Sequence, residues 1–142
     1  MLKMLVPVDS SIQSSEVIED LLSWTDHFRQ VQAEIHLLNV QPDLHGDIGM
    51  FLSADQLRAY HHDEGIKALA QARERLDNVG LSYAFHISVG EIAETVVACA
   101  TEYGCHQIVL NGRGLGSLSD LLTGSISRKI IELSTVPILL LK

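Results

Sequence analysis

Cysteine and proline are scarce in this chain, two and three among 142 residues. Cys99 and Cys105 are six positions apart, with neither a CxxC spacing nor companions at zinc-site intervals, so buried or free thiols are expected rather than a redox motif or structural zinc. No apolar run approaches the ~18 residues of a membrane span. The opening Met1-Leu2-Lys3-Met4-Leu5-Val6-Pro7 lacks the length and cleavage pattern of a signal peptide, which makes a cytoplasmic location without a membrane partner the expectation. Cations are the minority charge: 10 Lys and Arg stand against 18 Asp and Glu, a formal net charge of −8. The basic residues are not clustered, so a duplex phosphate backbone would be repelled and nucleic acid is not expected as a partner.

Several catalytic signatures are missing as well. There is no GxxxxGK[ST], which excludes a P-loop ATPase, and the first apolar run ends in acidic Asp9 rather than GxGxxG, which argues against a dinucleotide dehydrogenase. No serine sits in GxSxG, so a nucleophile-elbow hydrolase is excluded. Asp9 has no adjacent acidic partner to hold Mg2+ as in receiver-type signalling domains, and its charge makes Ser10, Ser11, Ser14 and Ser15 a poor FMN-phosphate site. His61 and His62 are neighbours, about 100° apart on a helix, and do not form a chelating pair.

What remains is a composition suited to folding, 46% hydrophobic and 20% charged. The length predicts one domain over residues 1–142. Leu2 to Val8 is a short apolar run closed by Asp9-Ser10-Ser11, followed by helical spacing at Val17, Ile18, Leu21, Leu22 and Phe28. Ile35 to Val40 reads as a second strand, and residues 41 to about 53, with Pro42, Gly46 and Gly49, form a connection long enough to act as a lid. A long helix runs from Leu57 to Val79, weakened at Gly65 and stopped by Asn78 and Gly80. Leu81 to Val89 alternates as a strand, Gly90-Glu91 opens a helix that Gly104 stops, and Ile108-Val109-Leu110 is a buried strand. After the glycine-rich turn Asn111 to Gly116 come a helix with Ile126, Ile130, Ile131 and Leu133 and a last strand, Pro137 to Leu141. Alternating strands and helices predict an α/β fold of the doubly wound class: a five-stranded parallel sheet with four helices distributed over both faces. Ligands bind such sheets beyond the carboxyl ends of the strands, which directs attention to Asp9, Val40 with Gln41, Gly90, and Asn111 to Gly116.

The densest chemical signal is Asn111-Gly112-Arg113-Gly114-Leu115-Gly116, with Gly124-Ser125 at the entry to the last helix. Glycines let backbone amides approach an anion, and a helix start adds a positive dipole end. Two readings stand at this level: a phosphate cradle, or a plain turn with Ser125 as a helix cap. Asp9 is likewise either a ligand contact or an N-cap, and Arg113 either a phosphate partner or a solvated charge.

Gly114, nine intervening residues and Gly124-Ser125, flanked by Ile108-Val109-Leu110 and Ile126-Ser127-Arg128-Lys129-Ile130, resemble the ATP-binding signature G-x2-G-x9-G-[S/T] of the universal stress protein family. Leu5-Val6-Pro7-Val8-Asp9, Ile35-His36-Leu37-Leu38-Asn39-Val40 and Val136-Pro137-Ile138-Leu139-Leu140 are similar to the same family, so the likeness spans the chain. The resemblance implies an adenine nucleotide ligand, ATP or AMP, with Mg2+ as a companion ion. It implies that Pro7, Val8 and Val40 flank the adenine, with the Val40 backbone reading its edge, and that Asp9 contacts the ribose or a metal-phosphate group. Gly114, Gly124, Ser125 and Ile126 would offer amides, and Ser125 its hydroxyl, to the phosphates, with Gly112 and Arg113 in the same loop. Asn111 stands where the family pattern has its first glycine, which keeps a second class open: a nucleotide-independent interaction protein of the same fold. In either class the work is regulatory, in stress response through an unidentified protein partner, with at most slow hydrolysis. The resemblance also implies a homodimer through strand 5 as an edge strand; an apolar strand in mid-sheet is the alternative.

Overall fold

A computed structural model describes residues 1–9, 12–26, 32–44, 51–111 and 125–141. Among these the order is β1 (Leu2–Pro7), α1 (Ile12–Asp26), β2 (Ala33–Gln41), α2 (Ala54–Asn78), β3 (Tyr83–Val89), α3 (Ile92–Glu102), β4 (Gln107–Asn111), α4 (Ser125–Leu133) and β5 (Ile138–Leu141). The strands form one parallel sheet in the order β3-β2-β1-β4-β5. This is the expected α/β architecture, and it places β5 at an edge rather than in mid-sheet.

The two-residue period of the strands separates two cores. Met4, Val6, Ile35, Leu37 and Val109 face α1 and α2, where they meet Val17, Ile18, Leu21, Leu69 and Leu76; Trp24 packs, partly buried, against this layer. Leu5, Leu38, Ile108 and Leu110 face α3 and α4, meeting Val96, Cys99, Ala100 and Ile130. Each fully buried aliphatic side chain contributes about 1.5–3 kcal/mol, and β1, with Met4, Leu5 and Val6 at 0% exposure, is buried on both faces.

Local chemistry sets the helix limits. Ser53 and Gln56 form a reciprocal capping box at the start of α2, a device worth about 1 kcal/mol. α2 ends at Gly80 (φ 75°), where the Leu81 amide returns to the Leu76 carbonyl at 3.1 Å. α3 ends in the same way at Gly104 (φ 66°), with the Cys105 amide on the Ala100 carbonyl at 2.8 Å. Both stops fall at the expected glycines. The expected strand start at Leu81 is corrected to Tyr83, because Leu81 is spent on the helix cap and stays exposed; Val79 is a cap residue rather than helix. Phe28 and residues 45–50 of the expected lid lie outside the described residues, while Phe51 beside them is 83% exposed.

Gly65 was expected to weaken α2, and its surroundings give the reason for its presence. A Cβ there would lie 2.6 Å from Ile87 atoms of β3. The missing side chain lets the helix settle onto the sheet, and farther along Arg73 covers the Phe85 ring at 4.0 Å.

A hydrogen-bonded chain joins β2, β3 and α3 on the other face. His36 Nε2 lies 2.7 Å from Glu34 Oε1, His36 Nδ1 lies 2.9 Å from His86 Nε2, and Tyr103 stacks on His86 at 3.8 Å between ring centroids. One tautomer set satisfies the chain: His36 donates to Glu34 and accepts from His86. Burial, then the charge His36 would carry, hold the His86 imidazole below the ordinary histidine value of 6.5, with Glu102 opposing.

Gly65→Ala gains helix propensity of about 1 kcal/mol but collides with Ile87, and should destabilise by roughly 1–3 kcal/mol in urea unfolding; adding Ile87→Val should recover part of the loss. Because His86 is neutral in the fold more readily than in the unfolded chain, its contribution is full above pH 6.5 and is lost as pH falls through the lowered folded value. The urea midpoint should therefore drop between pH 7.5 and pH 5 more steeply in the wild type than in His86→Gln; equal slopes would contradict the assignment.

Candidate functional site

The order β3-β2-β1-β4-β5 puts the direction change of the chain at β1, whose carboxyl end lies between those of β2 and β4. In sheets of this class the crevice at such a point is where ligands sit. The structure thus brings the exits of three strands side by side: Pro7-Val8-Asp9 in the middle, Val40-Gln41 on one side and Asn111 on the other.

Main-chain chemistry loosens the sheet here on both flanks of β1. Toward β4 the register runs Met4↔Gln107 and Leu5↔Ile108, and the next residue of β1 with its polar groups on that side is Pro7, which has no N–H to give. Toward β2 the Val8 amide donates to the Leu38 carbonyl at 2.8 Å. The Val8 carbonyl then accepts from the side chain of Asn39, Nδ2 at 2.8 Å, and Asn39 Oδ1 accepts from Gln41 Nε2 at 2.6 Å. On the far side of β2 pairing continues, with the Gly90 amide on the Gln41 carbonyl at 3.0 Å.

Pro7 and Val8 are buried, while Asp9 and Val40 are half-buried. Asn111 is the last residue of β4, opposite Leu141 and 3% exposed. Its backbone is extended, and among the described non-glycine residues none has positive φ. The asparagine in place of a glycine therefore sits in ordinary strand conformation without backbone strain. Ser125 opens α4 and is exposed; Ile126 is half-buried against the second core. Gly112, Arg113, Gly114 and Gly124 lie outside the described residues.

Both thiols are free and buried, as expected. Burial pushes the Cys105 thiol up from its ordinary value, which disfavours the reactive thiolate. His61 is buried in α2 and His62 is exposed, and among the described residues no three His, Cys, Asp or Glu side chains converge as a metal site would require. No helix of the described residues is long and apolar enough to cross a membrane. Sequence reasoning missed Asn39 and the Glu34–His36–His86 chain. For Asn39 a signal existed: a lone amide at a core-facing position of an apolar strand.

Comparison with known proteins adds to this geometry. The model of the universal stress protein family matches residues 1–142. The chain is 29% identical to the universal stress protein YxiE of Bacillus subtilis, covering 99% of this chain and 98% of that protein. It is 24% identical to the universal stress protein MJ0577 of Methanocaldococcus jannaschii, whose solved structure superposes with a TM-score of 0.73 over 99% of this chain and 94% of that one. A family protein of Arabidopsis thaliana solved with AMP bound is 17% identical, with a TM-score of 0.70 over 100% of this chain and 92% of that one. The same fold is found in universal stress proteins solved with cAMP and with dAMP, at TM-scores of 0.67 and 0.64. A five-stranded parallel sheet opened at the exit of β1, and a family match over the full length, together identify this chain as a member of the universal stress protein family.

Proposed function

We propose that this chain binds an adenine nucleotide, ATP or AMP, in the crevice beyond β1, β2 and β4, and that occupancy sets a surface read by a protein partner in stress response or regulation. The observation that carries the reading is the exit of β1. Pro7 and Val8 are buried and apolar there, the alternation set by the Val8–Leu38 bond turns the Val40 main chain toward β1, and Asp9 is half-buried beside them. These are the groups needed to seat a base, read its edge and hold a ribose hydroxyl. Adenine nucleotides bound to solved proteins of this fold support the same class of ligand.

Phosphates are assigned to the start of α4, where Ser125 would supply its hydroxyl and a helix-start amide, with Ile126, Gly124, Gly114, Gly112 and Arg113 as the further contacts and Mg2+ accompanying ATP. Asn111 marks the strand end from which that loop departs. The competing reading, a nucleotide-independent dimeric interaction protein, draws on β5. That strand is a sheet edge with Leu140 exposed, and Ile131 and Leu133 on α4 are exposed as well. Pairing of two β5 edges would cover this apolar surface in a homodimer under either reading.

Calorimetric titration of AMP, and of ATP with Mg2+, into nucleotide-free protein should give one site per chain. Asp9→Asn should weaken binding about tenfold, equivalent to about 1.4 kcal/mol. No heat up to millimolar nucleotide would overturn the nucleotide reading in favour of the interaction protein. Sedimentation at tens of micromolar should show a dimer, and Leu140→Lys should shift it to monomer.

A further inference from the structure

We propose that Asn39 is a positioning residue that replaces one rung of the β1–β2 ladder with its side chain and so keeps the Val40 main-chain amide facing the crevice. The inference rests on the nucleotide reading for its use of Val40, but its structural half stands apart from any ligand.

In a parallel ladder the main-chain polar groups of successive residues point to opposite neighbours. The Val8 amide bonds the Leu38 carbonyl at 2.8 Å, so Leu38 faces β1. The Gly90 amide bonds the Gln41 carbonyl at 3.0 Å, so Gln41 faces β3. Val40 lies two residues after Leu38 and therefore faces β1 too. In an unbroken parallel ladder the next rung would run from the Val40 amide to the Val8 carbonyl. In this chain the Asn39 side-chain amide reaches that carbonyl at 2.8 Å.

The side chain is held for that role. Asn39 is 3% exposed, and Gln41 Nε2 donates to its Oδ1 at 2.6 Å, which fixes the amide with its nitrogen toward Val8. An unbonded amide at such burial would be costly, so the network resists swinging open. The strands part after Val8 because a side chain has taken the place of the Val40 donor. A plain core asparagine would satisfy itself without altering the fate of the neighbouring amide, and that difference is measurable.

Amide exchange followed residue by residue by NMR supplies the test, with Leu38 as reference because its amide lies on the same strand and faces the same neighbour. In the nucleotide-free wild type the Val40 amide should exchange at least about 100-fold faster than that of Leu38, and AMP should slow it. In Asn39→Ala the rung should close: Val40 exchange slows without any nucleotide, and AMP affinity falls about tenfold. Gln41→Ala, which leaves the core intact, should move both quantities in the same direction by a smaller amount and serves if Asn39→Ala does not fold. A Val40 amide as protected as Leu38 in the wild type overturns the inference even if AMP binds well. Fast Val40 exchange that slows in Asn39→Ala upholds the replaced rung even if AMP is ignored, a result that overturns only the nucleotide reading. AMP binding that leaves Val40 exchange unchanged overturns the base-facing role.

Discussion

The way β1 leaves the sheet is the constraint on which the rest of this molecule depends. A central parallel strand must satisfy its amides and carbonyls on both sides, and β1 does so through Leu5 toward β4 and through Val8 toward β2. Its last residues cannot continue. Pro7 withdraws a donor on one flank, and on the other a side-chain amide occupies the carbonyl that would extend the pairing. The strand is thus released toward α1 where its pairing to both neighbours ends, the point at which sheets of this class take their ligands. Burial elsewhere makes this local loosening tolerable: with Met4, Leu5 and Val6 wholly inside, β1 stays anchored while its final residues serve another purpose.

The two faces of the sheet are built differently. The layer under α1 and α2 is almost wholly aliphatic and is held close by the Gly65 contact with Ile87. The layer under α3 and α4 admits two thiols, and beside it His36, His86 and Tyr103 form a stacked and hydrogen-bonded ribbon reaching Glu34. This polar ribbon runs from Glu34 and His36 in the first half of β2 to His86, in register with Leu38, and on to Tyr103, so it ties the end of α3 to the sheet. Surface pairs such as Arg75 with Glu19 and Lys129 with Glu94 tie neighbouring helices together and contribute little, as exposed pairs do.

Most of the architecture was legible in the sequence because it is written in local periods. Continuous apolar runs gave the buried strands, three-to-four spacing gave the helices, and Gly80 and Gly104 marked two helix ends correctly. Where local reading slipped, at Leu81, an apolar residue served a helix cap that looks the same as a strand start until the 81-to-76 bond is seen. Gly65 was legible as a weak helix position, whereas its reason, a side chain 22 positions later in β3, exists only after folding. The His36–His86 pair is separated by 50 positions and had no sequence signal at all. At the candidate site the positions of Asp9, Val40 and Asn111 at or just past the ends of β1, β2 and β4 were legible, since position relative to strands is what alternation encodes. Asn39 was passed over because a polar residue inside an apolar strand reads as noise until its partner, a main-chain carbonyl, is located. Asn111, where the family pattern has a glycine, has an extended backbone that asparagine adopts without strain.

Trp24 gives one of these features a practical meaning. It is the single tryptophan of the chain, and it lies on α1, the helix that follows directly from the β1 exit, packed partly buried against the aliphatic layer. No second indole dilutes its emission. The molecule therefore carries an intrinsic optical probe of how α1 is seated, one helix away from the crevice and on the opposite face from the histidine ribbon. A change in its fluorescence separates movements of the strand exit and its helix from events on the α3 side, without a label and without a substitution.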